Sequence, residues 1–276
     1  MHLTQLLLLA SYAAASPAAQ SIPEGLNTFT CGQTFTTLPT VSASGSVTCS
    51  NNVPAPTENA LFRIEGNDAD GTIFEGCIVS EPQVITTPSG GSHECDGTNN
   101  GANSSPGATA TDQIASAGQL IGFGFDGTFD SDFDDFFITS IGNSMETSTE
   151  FWGLLQNGQF TPSGGCQTET TNTDVTLWAF NAFNAVYFLQ VTPEYAVVEA
   201  GSGTITVTIT DAQTNQPVPG SVLGGQTADS NGHVTITIPA NQGCYQMKAT
   251  QSDAIRSNAF YLTVVDSFGS NPSGPF

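Results

Sequence analysis

The stretch TITVTIT (204–210) sets Ile205, Val207 and Ile209 on one side of an extended chain and Thr204, Thr206, Thr208 and Thr210 on the other. A period of two belongs to a strand with one face in a core and the other in water. HVTITI (233–238) repeats the pattern with Val234, Ile236 and Ile238, and Asn231-Gly232 just ahead of it supplies turn chemistry. Tyr245, Met247 and Ala249, then Phe260, Leu262 and Val264, continue it. Several short strands of this kind, with turns every 8–12 residues or about that, predict an antiparallel β-sandwich over 192–268. Threonine on the wet face keeps strand propensity without adding charge.

Upstream the pattern is mixed. Leu61, Arg63 and Glu65 alternate with Phe62 and Ile64, and Thr72–Phe74 and Cys77–Val79 predict a second strand. TDQIASAGQL (111–120) is the one helix predicted after the leader, with Ile114, Ala117 and Leu120 on one face and Gly118 keeping it short. Strands are expected again at 136–141, 151–155, 175–180 and 186–191, and Asn157-Gly158 marks a hairpin. PSGGSHECDGTNNGANSSPGATA (88–110) lacks apolar periodicity and is predicted as one long loop. The expected class is therefore mainly β: an α+β first domain over 58–191, then an immunoglobulin-like or prealbumin-like sandwich.

Composition narrows the function. The chain has 276 residues, three Lys+Arg against 25 Asp+Glu, and a formal net charge of −22. Charged residues make up 10%, against about 25% in an average soluble protein, so the polar surface must be Ser, Thr, Asn, Gln and Gly. Arg63, Lys248 and Arg256 are too few and too scattered to neutralise phosphates, which excludes nucleic-acid partners and argues against docking on anionic lipid.

MHLTQLLLLASYAAASPAAQ (1–20) reads as a signal peptide: an apolar run too short to span a bilayer of about 30 Å, then small residues before Ser16. SFGSNPSGPF at the end carries no hydrophobic anchor signal, and 269–276 is expected to be a flexible tail. The expected location is secreted, extracellular or wall-associated. Six cysteines, Cys31, Cys49, Cys77, Cys95, Cys166 and Cys244, fit three disulfides in an oxidising compartment. Residues 21–57 form a Ser/Thr/Pro-rich segment and linker in which Cys31 and Cys49 bracket a small loop, so a local Cys31–Cys49 staple is expected. Asn103-Ser104-Ser105 is an N-glycosylation sequon in a loop.

Four phrases occur together in a fixed order: SHECDGTNNGANSSPG (92–107), FDDFFITSIGNSMETSTEFWGLLQNGQF (133–160), GGCQTET (164–170) and DVTLWAFNAFNAVYFLQV (174–191). In these the chain resembles fungal secreted proteins with a transcobalamin C-terminal-like domain, over about 60–190. The resemblance implies a β-grasp-like mixed sheet with one helix across it. It implies an extracellular protein of unknown activity, sometimes described as a surface adhesin. Cys95 and Cys166 lie in two of the phrases, which implies their pairing, leaving Cys77 and Cys244 to pair across the domains or not at all. Cobalamin capping belongs to chains with a large helical barrel, which this sequence lacks. The 211–238 stretch is similar to bacterial surface-protein repeats that act as stalks.

The residues offer several chemistries, each beside a plainer reading. Asp130, Asp132, Asp134 and Asp135 alternate as oxygen ligands for Ca²⁺ do, but Asp135 stands where an EF-hand loop needs Gly and Ile141 where it needs Glu; the plainer reading is a solvated acidic loop. Pairs such as Asp132 and Asp135, within the Asp126–Asp135 cluster, or Glu146 and Glu150, could serve glycoside hydrolysis, a weakly specific signal in so acidic a chain. His93-Glu94-Cys95-Asp96 offers a sparse metal set, and HExxH and GxSxG are absent. Trp152, Trp178, Phe183 and Tyr187 would stack on sugars or an apolar ligand if exposed, and fill a core if not. The expected function is non-catalytic interaction with a glycan, a wall component, a protein surface or a small ligand. The alternatives are a polysaccharide-active enzyme using the aspartate cluster and a corrinoid-like carrier.

Overall fold

The computed structural model describes residues 28–30, 33–35, 39–98 and 101–268. The expected leader, Cys31 and the expected tail lie outside the described residues. Two bodies are built, each from β-structure, and the first carries a single α-helix among the described residues.

The first body is a five-stranded mixed sheet in the order Gln159–Phe160, Trp152–Gln156, Val175–Phe180, Glu58–Glu65, Thr72–Ser80. The central pair, Val175–Phe180 beside Glu58–Glu65, is parallel, and the other ladders are antiparallel. One face of the sheet contributes Phe62, Ile64, Trp152, Trp178 and Phe180 to a core shared with the helix. The other contributes Leu155, Leu177 and Ala179 to a second core shared with Phe188 and Ile255. VTLWAF (175–180) is apolar at both parities because it is a central strand covered on both sides.

The helix spans Ala110–Ile121, capped at Thr109 by a capping box with Asp112 and ended by Gly122 in the left-handed region. Ile114 and Ala117 are fully buried, but Leu120 is exposed, because the apolar stripe ends one turn before the helix does. A three-stranded meander, Phe125–Asp130, Asp135–Ile141 and Ser144–Met145, closes the core with Phe136, Ile138 and Ile141. The predicted loop at 88–110 is not all loop: Gly91–Cys95 pairs with Gln83–Thr87 in a hairpin that turns at 88–90, and Ala110 opens the helix, so the irregular stretch begins only at 96. Backbone pairing needs no apolar side chains, and GSHEC carries none that periodicity could detect.

The second body packs the sheet His233–Thr237, Thr204–Asp211, Tyr187–Thr192, Ala254–Ile255 against the sheet Gly243–Lys248, Ala259–Val265, Tyr195–Glu199, Ala43–Gly45. Val207, Ile209, Val234, Ile236, Phe260 and Leu262 fill the space between, as the alternation predicts. Three expectations are corrected. The sandwich is not wholly antiparallel: Tyr187–Thr192 runs parallel to Ala254–Ile255, and Tyr195–Glu199 parallel to Ala259–Val265. Pro193, which has no N–H for a ladder, sits where the chain leaves one sheet for the other. Tyr187–Thr192 pairs with Thr204–Asp211, so it belongs to the sandwich and the boundary falls near 181–186 rather than 191. Finally, the N-terminal segment contributes to the body, since its Ala43–Gly45 stretch pairs with Tyr195–Glu199 as an edge strand.

That edge strand decides a disulfide. From it the chain crosses towards the first sheet, where Cys49 meets Cys77 at a Cα separation of 5.6 Å and bonds to it. This replaces both the local Cys31–Cys49 staple and a Cys77–Cys244 bridge. Cys244 is itself disulfide-bonded. Cys95 and Cys166 are joined, tying the 96–109 loop to the turn at 164–166. The described structure is thus disulfide-stabilised, and no helix among the described residues is long and apolar enough to cross a membrane.

Candidate functional site

All three cations of the chain converge where the two bodies meet. Glu65, 1% exposed at the end of its strand, accepts from Lys248 Nζ through Oε1 and from Arg256 Nε at 2.9 Å through Oε2. Thr72 Oγ1 donates to the same carboxylate at 3.0 Å and accepts from Lys248 Nζ at 2.7 Å. Lys248 also pairs with Glu75 at 2.7 Å, and Glu75 Oε1 accepts from the Ala259 N–H at 2.7 Å. Arg256 Nη2 donates to the Gly66 carbonyl at 2.6 Å. Arg63 completes the group, its Nε 3.7 Å from Glu65. With its cations sequestered here, the outer surface is neutral or acidic.

Beside this cluster lies a cleft of about 370 Å³. Leu61 and Val175 from the five-stranded sheet and Val47 line it, together with Leu155, Leu177 and Phe188 of the second core. Arg63, Glu75, Glu194 and Asn258 line its polar end. Glu194 Oε2 accepts from the Val47 N–H at 2.6 Å. Burial pushes the Glu194 carboxyl above the usual range against that hydrogen bond, and the Glu75 carboxylate adds to the rise.

The aromatic candidates separate. Trp152 and Trp178 are core residues, with each Nε1–H donating to a backbone carbonyl, of Ser144 and Ala110, both at 3.2 Å. Neither offers a stacking face. Tyr187 packs against the sandwich core. Phe183 alone of the four stands out, 64% exposed, and stacks on Phe160, 38% exposed, with ring centres 5.2 Å apart and planes 8° apart. Phe160 is on the strand that returns from the Asn157-Gly158 turn, where both residues take positive φ. A Cβ at Gly153 would meet Ala182 at 2.6 Å and the Phe160 ring at 3.0 Å, so glycine there lets the two rings lie over the strand. Sequence reasoning missed Phe160, whose signal was the hairpin that folds it back.

The acidic set does not gather at one point. Asp130 Oδ1 accepts from the Asp132 N–H at 2.9 Å across an exposed turn, and Asp134 supplies a positive φ there. Asp135 turns inward, its Oδ1 accepting from the Phe136 and Cys166 N–H groups at 2.7 and 3.1 Å. Burial raises its carboxyl to about 6. Asp126 instead caps Ser89, accepting from its N–H at 2.9 Å and its hydroxyl at 2.6 Å. Among the described residues no group of three or more His, Cys, Asp or Glu side chains is placed to hold a metal ion. His93 stacks on Phe129 at 3.4 Å, with one ring nitrogen 3.1 Å from the Gly90 carbonyl. Asn103 lies exposed in the 96–109 loop, its Nδ2 donating to the Gly97 carbonyl at 2.6 Å. No protein-family model matches this chain, and no curated protein is significantly similar to it.

Proposed function

We propose that this protein is a secreted, non-catalytic extracellular protein of the surface-adhesion type that holds a neutral glycan or wall polymer. The observation that carries the reading is the Phe160–Phe183 pair: two stacked rings left open to water on a surface whose cations are withdrawn. Large exposed aromatics are costly to keep wet, and a sugar ring's apolar face is what such a ledge can cover. The acidic exterior repels polyanions, which favours an uncharged polymer. The sandwich serves in this reading as a rigid spacer, and the disulfides fit the oxidising exterior.

The test is retention of purified protein on insoluble chitin, β-glucan and cellulose. Binding to at least one is expected, with affinity falling about tenfold in Phe183→Ala, the equivalent of about 1.4 kcal/mol. No retention on any of the three, or full retention by the variant, overturns the polysaccharide reading.

A further inference from the structure

We propose that the cleft between the two bodies is a second binding site, which takes a small uncharged amide with an apolar body. Its apolar lining is Val47, Leu61 and Val175 over the packed side chains of Leu155, Leu177 and Phe188, and its volume of about 370 Å³ falls at the small end of ligand pockets. The polar end decides the ligand. Arg63, whose side chain is 11% exposed, lines the cleft, and its Nη1 is buried without a hydrogen-bond partner. A buried donor of this kind needs an acceptor. Across the same end, Glu194 Oε1 receives, among the described residues, a long contact of 3.4 Å from Asn258 Nδ2, which leaves room for a donor. A group that accepts at one atom and donates at the next meets both needs, as an amide does with its carbonyl and N–H.

Charge balance argues for a neutral head. The charged groups that line the cleft are Arg63, Glu75 and Glu194; Glu75 is paired with Lys248 at 2.7 Å, which leaves Arg63 against Glu194. A carboxylate or an ammonium group would leave a net charge in a poorly hydrated space. Phe188 meets Phe160 edge-on with ring centres 5.5 Å apart, but Phe183 does not line the cleft, so a change at Phe183 tests the ledge and leaves the cleft lining intact.

The test is isothermal titration of the full chain with octanamide, octanoate and octylamine as matched probes. Octanamide is expected to bind, with the two charged probes at least tenfold weaker. Val175 is 45% exposed at the start of its strand and also lines the cleft, so Val175→Trp fills the space from its rim. That variant is expected to keep its thermal midpoint and lose octanamide binding. Phe183→Ala is expected to keep octanamide binding. No binding of octanamide by the native chain, binding of a charged probe as tight as the amide, or unchanged binding in folded Val175→Trp would each overturn the proposal.

Discussion

Replacing Glu65 by glutamine is expected to lower the unfolding free energy by about 3–5 kcal/mol, the range for removing one partner of a buried ionic group. Glutamine keeps the shape but not the charge, so Arg256 loses its buried counter-ion and Lys248 is left with Glu75 alone. The side chains of Lys248 and Arg256 are 15% and 21% exposed, too little for water to take over. Because Lys248 and Arg256 come from the sandwich and Glu65 from the mixed sheet, the variant should also loosen one body from the other. Urea unfolding measures both effects: the midpoint should fall, and a single transition should broaden or split. A loss below about 1 kcal/mol in Glu65→Gln would mean that water reaches the cluster and the pairing is worth no more than a surface bridge.

The cluster also shows why some of this molecule was legible in its sequence and some was not. TITVTIT announces its strand because one face is wet and the other dry, a contrast that local reading detects. VTLWAF hides which side chain faces which core, since both faces are covered. GSHEC hides a strand altogether, because its pairing rests on backbone groups. Glu65 meets Lys248 and Arg256 across separations of 183 and 191 residues, and no local pattern encodes such a meeting. A clue existed nonetheless: a chain with three Lys+Arg that buries them must be using them. For the aromatic ledge, Phe183 is one of four aromatic candidates in the sequence, but only the fold-back at Asn157-Gly158 brings Phe160 under it. The Cys49–Cys77 bond was hidden for the same reason as the cluster, because it depends on an edge strand with little apolar character.

Stability is expected to rise as the medium is made acid, from pH 8 down to about pH 5. Two carboxyls control this. Asp112, in the capping box of the helix, is fully buried, and burial lifts it to about 8 against the hydrogen bonds from Thr109. Asp135 rises to about 6 for the same leading cause. In the unfolded chain both titrate near 3.9 or roughly there. Between that value and the raised ones, the folded chain holds protons that the unfolded chain releases. Stability therefore falls as pH rises, over about 4–6 for Asp135 and about 4–8 for Asp112. Between pH 8 and pH 5, about three pH units act through Asp112 and about one through Asp135, which at about 1.4 kcal/mol per unit reaches on the order of 5 kcal/mol. Burial acts on Glu194 in the same direction. Self-repulsion at a net charge of −22 also eases as acid is added. Hydrogen bonds work the other way for Asp126, held low chiefly by the Ser89 hydroxyl, and for Asp70, where bonds from Ser144 and Asn143 outweigh a larger burial effect. Those groups withdraw stability only below about pH 4, so the maximum should lie near pH 4–5. Urea midpoints at pH 4.5, 6 and 8 measure the slope. Asp112→Asn and Asp135→Asn keep an amide oxygen where each carboxylate accepts, and they remove the titration. Each should flatten its own part of the slope and unfold later than the native chain at pH 8. A native profile that is flat or falls towards acid, or asparagine variants that keep the native slope, would show that these carboxyls are hydrated and ionised in the folded chain.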